Sequence, residues 1–102
     1  MFGLIVKITA VPGKRDELVA ILLEALSPMP GCLSYIVATD TSDANAIWFT
    51  EAWDSQVTHD ASLLLPSVKE TFAKARPLIA GIGDRVITTP LGGIGLVPPK
   101  DR

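Results

Sequence analysis

His59 is the only histidine in this chain, and Trp53 is one of its two tryptophans. Both lie in the run Glu51-Ala52-Trp53-Asp54-Ser55-Gln56-Val57-Thr58-His59. An imidazole can take a proton from an enolic or phenolic substrate. An indole offers an aromatic wall with one N–H donor. An ordinary histidine titrates near 6.5 and a phenol near 10, so full transfer between them costs about 3.5 units, or roughly 5 kcal/mol. His59 therefore needs help from a cation or hydrogen-bond donors that hold the phenolate. Arg76 and Lys7 are the candidate cations, and Tyr35 is a candidate donor to a quinone oxygen.

Each of these residues also has a plainer reading. His59 could be a helical histidine bonded to backbone or facing water. Trp53 and Tyr35 could simply pack the sheet, and Arg76 could be a solvated surface residue. Glu51 shares a strand face with Trp53 and Phe49. It is expected in an ion pair with Arg or Lys, the other reading being a perturbed acid–base group. Cys32 reads as a small strand hydrophobe, not a nucleophile.

Composition narrows the function classes. The 102 residues are one domain's worth, with net charge −2 and scattered basic residues. That is no electrostatic footprint for nucleic acid. The single cysteine excludes an internal disulfide, and no Cys/His spacing suggests a metal. The start, Met1-Phe2-Gly3-Leu4-Ile5-Val6-Lys7, reads as a strand and not a signal peptide. No apolar run reaches the roughly 20 residues that span a bilayer. A cytoplasmic protein is expected. Yet 48% of the residues are apolar, a large share for so small a body. A ligand cavity, a subunit interface or both should take up the excess.

The elements that would position these residues follow from periodicity. Phe2 to Val11 reads as a strand with both faces apolar. Pro12-Gly13 breaks it. Lys14 to Ser27 reads as a helix burying Leu18, Leu22, Ala25 and Leu26, with Val19 and Leu23 widening the stripe and Arg15 on the outer side. Cys32 to Asp40 and Ala46 to Trp53 form a hairpin around a polar turn. Alternation puts Ile47, Phe49, Glu51 and Trp53 on one face and Trp48 on the other. Asp54 or Ser55 caps a short helix to about Leu63. Ser67 and Glu70 match a capping box for a helix to about Leu78, stopped by Gly81 and Gly83. Its buried line would be Val68, Phe72, Ala75 and Ile79. Arg85 to Thr89 is a last short strand. The boundary of the folded domain falls at residue 89. Residues 90–102 form a Pro/Gly-rich tail, expected to lie as an arm across a partner subunit. Gly92-Gly93-Ile94-Gly95 lacks the Lys-Ser/Thr and the helix of a phosphate loop.

The order is βαββαβ, the ferredoxin-like α+β arrangement of a four-stranded antiparallel sheet with helices on one face. The uncovered apolar face should meet a second copy, giving a homodimer.

Pro30-Gly31-Cys32-Leu33-Ser34-Tyr35, Asp40 in the turn, Glu51-Ala52-Trp53-Asp54-Ser55 and His59 together resemble the antibiotic biosynthesis monooxygenase family. The resemblance covers about residues 2 to 89, and Glu-x-Trp-x-Ser-x-x-x-His is its most specific part. It implies a dimeric α+β barrel. It also implies a cofactor-independent monooxygenase acting on a planar phenol, quinol or anthrone and O2, without metal or flavin. His59 and Arg76 would be catalytic, with Trp53, Tyr35 and Glu51 binding substrate. The family's functions vary, so two other readings stand beside this one. One is an isomerase using the same pocket for proton transfer. The other is a non-catalytic ligand-binding or stress-response barrel. The haem-degrading branch fits poorly, because it uses an Asn on the first strand and a His on the long second helix. The first strand here offers Lys7, and Ser67 to Pro77 contains no His. After His59 and Ser62, Leu63-Leu64-Leu65-Pro66 stands where many relatives carry a second His.

Overall fold

Two alternating residue sets on the first strand set the plan of the molecule. In the computed structural model, which describes residues 1–96, β1 (Phe2–Ala10) lies at the centre of a four-stranded sheet. α1 (Arg15–Glu24) follows, then β2 (Cys32–Thr39) and β3 (Ala46–Trp53). α2 (Gln56–Ser62), α3 (Pro66–Ala75), a 3-10 turn (Arg76–Leu78) and β4 (Ile79–Thr88) complete the order. The strands run β2-β3-β1-β4, every neighbouring pair antiparallel. This is the ferredoxin-like α+β fold that the element order led us to expect.

β1 presents Phe2, Leu4, Ile8 and Ala10 to the helices, and β3 presents Ile47, Phe49 and Trp53. Leu18 and Leu22 of α1 and Ala75 of α3 close the larger core cluster over Ile8, Ala10, Ile47 and Phe49. Phe2, Leu4 and Trp53 form a second cluster, with Met29, Cys32 and Tyr35 against it. Trp53 thus faces the helices and Trp48 the opposite side, as strand alternation requires. Lys7 shares Trp48's side. Its Nζ lies 5.8 Å from the Trp48 ring centroid and 3.9 Å from Asp43 Oδ2. It is therefore not among the cations that could serve a site under the helices.

Several local expectations need correction. α1 ends at Glu24, three residues short of Ser27. Ser27 precedes Pro28, and a residue before proline avoids helical backbone. Leu26 beyond the helix end and Leu23 within it are both exposed, and only Leu18 and Leu22 of the helical stripe are fully buried. Arg15 does not face outward alone. Its Nη1 donates to the carbonyls of Asp43 (2.9 Å) and Asp40 (3.1 Å), tying α1 to the β2–β3 turn. Ser67 caps nothing. α3 begins two residues earlier than a Ser67 cap would place it, at Pro66, with Leu65 at the cap position. Proline at the first helical position has no N–H to leave unpaired, so it sets the start itself. Gly81 and Gly83 do not stop a helix but lie within β4, which is ten residues long. The β1–β4 register shifts between Val6 and Ile8 and between Thr9 and Ala10, where these glycines sit. Glycine inside a strand often marks such a bulge.

Gly31 has a firmer role. Its φ is +80°, and a Cβ there would lie 2.5–2.7 Å from Thr58 and Asp54. Its carbonyl accepts from Asp54 N at 2.9 Å, joining the start of β2 to the turn that leads into α2. Gly31→Ala should cost about 1–2 kcal/mol from the left-handed backbone alone, with the collision added. A urea-unfolding midpoint equal to wild type would remove Gly31 from this role.

Candidate functional site

Asp54-Ser55 turns the chain from β3 into α2. Ser55 is extended (φ −157°), and its Oγ accepts from Thr58 N at 3.3 Å. Thr58 Oγ1 donates to Asp54 Oδ1 at 2.6 Å. With its start fixed, α2 carries His59 one turn in and directs it under the helices, where only 5% of the residue is exposed. The imidazole packs between two aromatics of the central strands. Its centroid is 5.1 Å from Phe2 and 5.6 Å from Trp53, which it meets edge-on at 81°. Phe2 and Trp53 are paired residues of β1 and β3, so the sheet register itself builds the slot. Nδ1 lies 2.9 Å from Asp60 Oδ1. A carboxylate holding Nδ1–H leaves Nε2 as the proton acceptor.

Trp53 is 1% exposed. Its Nε1 donates to Glu51 Oε1 at 2.9 Å. That bond replaces the ion pair expected for Glu51, because no cation lies within 4 Å of the carboxylate among the described residues. Burial pushes the Glu51 carboxyl above its ordinary range, opposed by the Trp53 bond and by the charges of His59 and Arg85. A carboxyl whose folded pKa is raised stabilises the fold below its unfolded value, near 4.5, and loses that contribution as pH rises through the folded value. Glu51→Gln keeps an acceptor for Trp53 without the buried charge. It should therefore unfold at higher temperature than wild type at pH 8, the difference closing as pH falls below 4.5. Equal melting curves at both pH values would show that the carboxylate carries no burial cost.

Tyr35 of β2 packs edge-on against Phe49, with centroids 6.0 Å apart. Burial, and then the nearby Glu51 charge, hold its phenol well above the usual tyrosine range, so it stays a donor. Among the described residues its hydroxyl has no hydrogen-bond partner.

These side chains converge. His59, Trp53, Tyr35, Glu51 and Arg76 all line one cavity of about 650 Å³ between the sheet and the helices. Leu4, Val6, Ile8, Phe49, Val68 and Phe72 make its walls mainly apolar. This explains why Phe72, on the face of α3 expected to be buried, is 42% exposed: the face turns to a void. The size suits a small organic ligand, for which pockets run about 300–1,000 Å³. Three further lining residues were not anticipated. Ser62 follows His59 by three positions and donates to its carbonyl at 2.6 Å. Ile82 and Arg85 come from β4, opposite Ile8 and Val6. The signal for Arg85 was its spacing from Ile87, which pairs with Leu4. The expected strand began at Arg85, but no site role was attached to it; reading the glycines as a helix stop hid Ile82.

The Asp40 turn serves the other side of the sheet. Asp40 Oδ2 accepts from Trp48 Nε1 at 2.8 Å, and Oδ1 accepts from the backbone of Ser42 and Asp43. These bonds, Trp48's foremost, hold its carboxyl down to about 2.

The class is thus an antiparallel ferredoxin-like sheet roofed by one helical layer, with an apolar, histidine-bearing cavity between them. The sequence profile of the family described as antibiotic biosynthesis monooxygenase matches residues 1–74. The chain belongs to that family. It is 56% identical to a Chloroflexus aurantiacus J-10-fl protein provisionally named an antibiotic biosynthesis monooxygenase. The match covers 93% of this chain and 97% of that one, with a TM-score of 0.88. A Deinococcus radiodurans protein with the same provisional name is 22% identical over 96% of this chain and all of its own, TM-score 0.75. A Pseudomonas aeruginosa protein, 21% identical over 89% and 94%, has a TM-score of 0.77. These last two share the fold. No curated protein sequence matches the chain. Among the described residues no helix is long and apolar enough to cross a membrane.

Proposed function

We propose that the protein is a cofactor-independent monooxygenase that oxidises a planar phenol, quinol or anthrone with O2. The observation that carries this reading is the convergence of an oriented imidazole, a free phenol hydroxyl and an arginine on one aromatic-walled cavity. His59 Nε2 takes the substrate proton, and Asp60 steadies the imidazolium that forms. Arg76 and the Tyr35 hydroxyl hold the substrate anion. That anion passes one electron to O2, and the radical pair joins to a peroxide on carbon. For an anthrone, the peroxide then loses water, with His59 returning the proton. The sum is anthrone plus O2 to anthraquinone plus water. Trp53 and Phe49 flank the rings, and Glu51, held by Trp53, borders the reacting edge.

The protein works in the cytoplasm as a homodimer, its copies meeting through the sheet face away from the helices. Support for that interface comes from Ile36 (56% exposed) and Val86 (49% exposed), which lie on the same sheet face as Trp48. Residues 90–102 serve as an arm across the partner. Residues 97–102 lie outside the described part of the chain. Leu91 and Ile94, apolar and almost fully exposed, support a partner for the rest.

Oxygen uptake tests the activity. With an anthrone and quinol panel in chelator-treated buffer, the protein should consume one O2 per quinone formed. Tight binding with no uptake above the protein-free rate would favour a ligand-binding barrel without turnover.

A further inference from the structure

The charges of the cavity do not balance for a neutral substrate. Three ionisable groups besides His59 and Tyr35 line it: Glu51, Arg76 and Arg85. One arginine suffices to hold the phenolate or the peroxide. Arg85 is then left over. It is not simply the partner of Glu51, since the two are not within 4 Å of each other and Glu51 Oε1 is already taken by Trp53. Burial also outweighs Arg85's pull on that carboxyl, whose pKa stays raised. Among the described residues the Arg85 guanidinium makes no ion pair or hydrogen bond. It stands on the edge strand β4, exposed to solvent while lining the cavity, with Ile82 on the same lining. A planar fork of N–H donors at the rim of an apolar slot suits a carboxylate that stays half in water while rings enter the slot.

We propose that Arg85 is a specificity residue that anchors an acidic substituent of the substrate, making the preferred substrate an aromatic acid rather than a neutral quinol or anthrone. This rests on the reading of the cavity as an aromatic site. The acid group sits at the rim against Arg85, and the reacting phenolic edge reaches inward to His59.

Binding, not turnover, tests it, with two non-reacting probes of one ring system. Anthraquinone-2-carboxylate and the neutral 2-(hydroxymethyl)anthraquinone are measured by equilibrium dialysis at low salt. The carboxylate should bind at least tenfold more tightly, and the preference should shrink at high salt. In Arg85→Gln it should fall below threefold while the neutral probe binds as in wild type. Arg76→Gln should keep the preference. Among the described residues the Arg85 side chain has no hydrogen bond or ion pair to lose, and circular dichroism checks that the variant is folded. Equal binding of the two probes to wild type would overturn the assignment alone, leaving the aromatic cavity standing. A preference that survives in Arg85→Gln would also overturn it. If neither probe binds, the aromatic reading and the assignment fall together.

Discussion

Replacing His59 by alanine is expected to lower oxygen uptake about a hundredfold at neutral pH. General-base catalysis by a positioned side chain contributes roughly 10²–10⁴, and no other side chain in the cavity combines a free acceptor nitrogen with a carboxylate behind it. The loss should depend on pH. A phenol near its own pKa of about 10 gives up its proton without a base. The variant's rate should therefore climb steeply through pH 8–10 and approach wild type there, while probe binding stays within a few-fold of wild type at every pH. His59 also fills the space between Phe2 and Trp53, so His59→Gln, which keeps bulk, separates lost packing from lost basicity. Uptake in His59→Gln at the wild-type rate would remove the imidazole from the mechanism.

Trp53→Ala carries the largest expected stability cost, about 3–5 kcal/mol, as for other buried large-to-small aromatic changes. A domain of this size has roughly 5–15 kcal/mol in all, so the variant should sit near its unfolding threshold at room temperature. Three losses coincide. The indole leaves a void beside Phe2 and Leu4. His59 loses one of its two flanking rings. Glu51 loses its Trp53 donor, the one side-chain hydrogen bond its carboxyl makes among the described residues. Trp53→Phe isolates the last of these. It keeps most of the packing, so it should be milder than Trp53→Ala at pH 4, where Glu51 can hold its proton. Its deficit should grow as pH rises and the Glu51 carboxyl, whose pKa burial raises, gives up its proton. Denaturant midpoints for both variants that matched wild type would show that Trp53 is peripheral to the fold.

The fold was legible because its strands carry clean alternation. Ile47, Phe49, Glu51 and Trp53 announce one face of β3, and the cap at Ser55 announces α2. The five candidate residues were picked out by type, and all five line the same cavity. Three things were not legible, each for a physical reason. A void has no pattern of its own: Phe72 looks like core in sequence because a cavity wall and a packed interior use the same residues. A bulge looks like a break, so Gly81 and Gly83 hid the first half of β4 and, with it, Ile82; Arg85 stood in the expected strand, but alternation alone does not tell a cavity-facing residue from a solvent-facing one on an edge strand. The Glu51 carboxyl invited a cation, but a tryptophan two residues on along the same strand face supplied the donor instead.

The two tryptophans sit on opposite faces of β3, and each donates its indole N–H to a different carboxylate. Trp53 holds Glu51, whose charge changes above 4.5. Trp48 holds Asp40, which stays charged down to about 2. The molecule thus carries two optical reporters with separate acid set points. In Trp48→Phe, emission should follow Glu51 and the contents of the cavity. In Trp53→Phe, it should stay flat until the Asp40 contact is lost as pH falls through about 2, the sign required of a carboxyl held below its unfolded value. The inner and outer surfaces of one sheet can therefore be followed independently by light, one for ligand and the other for whatever covers the far side.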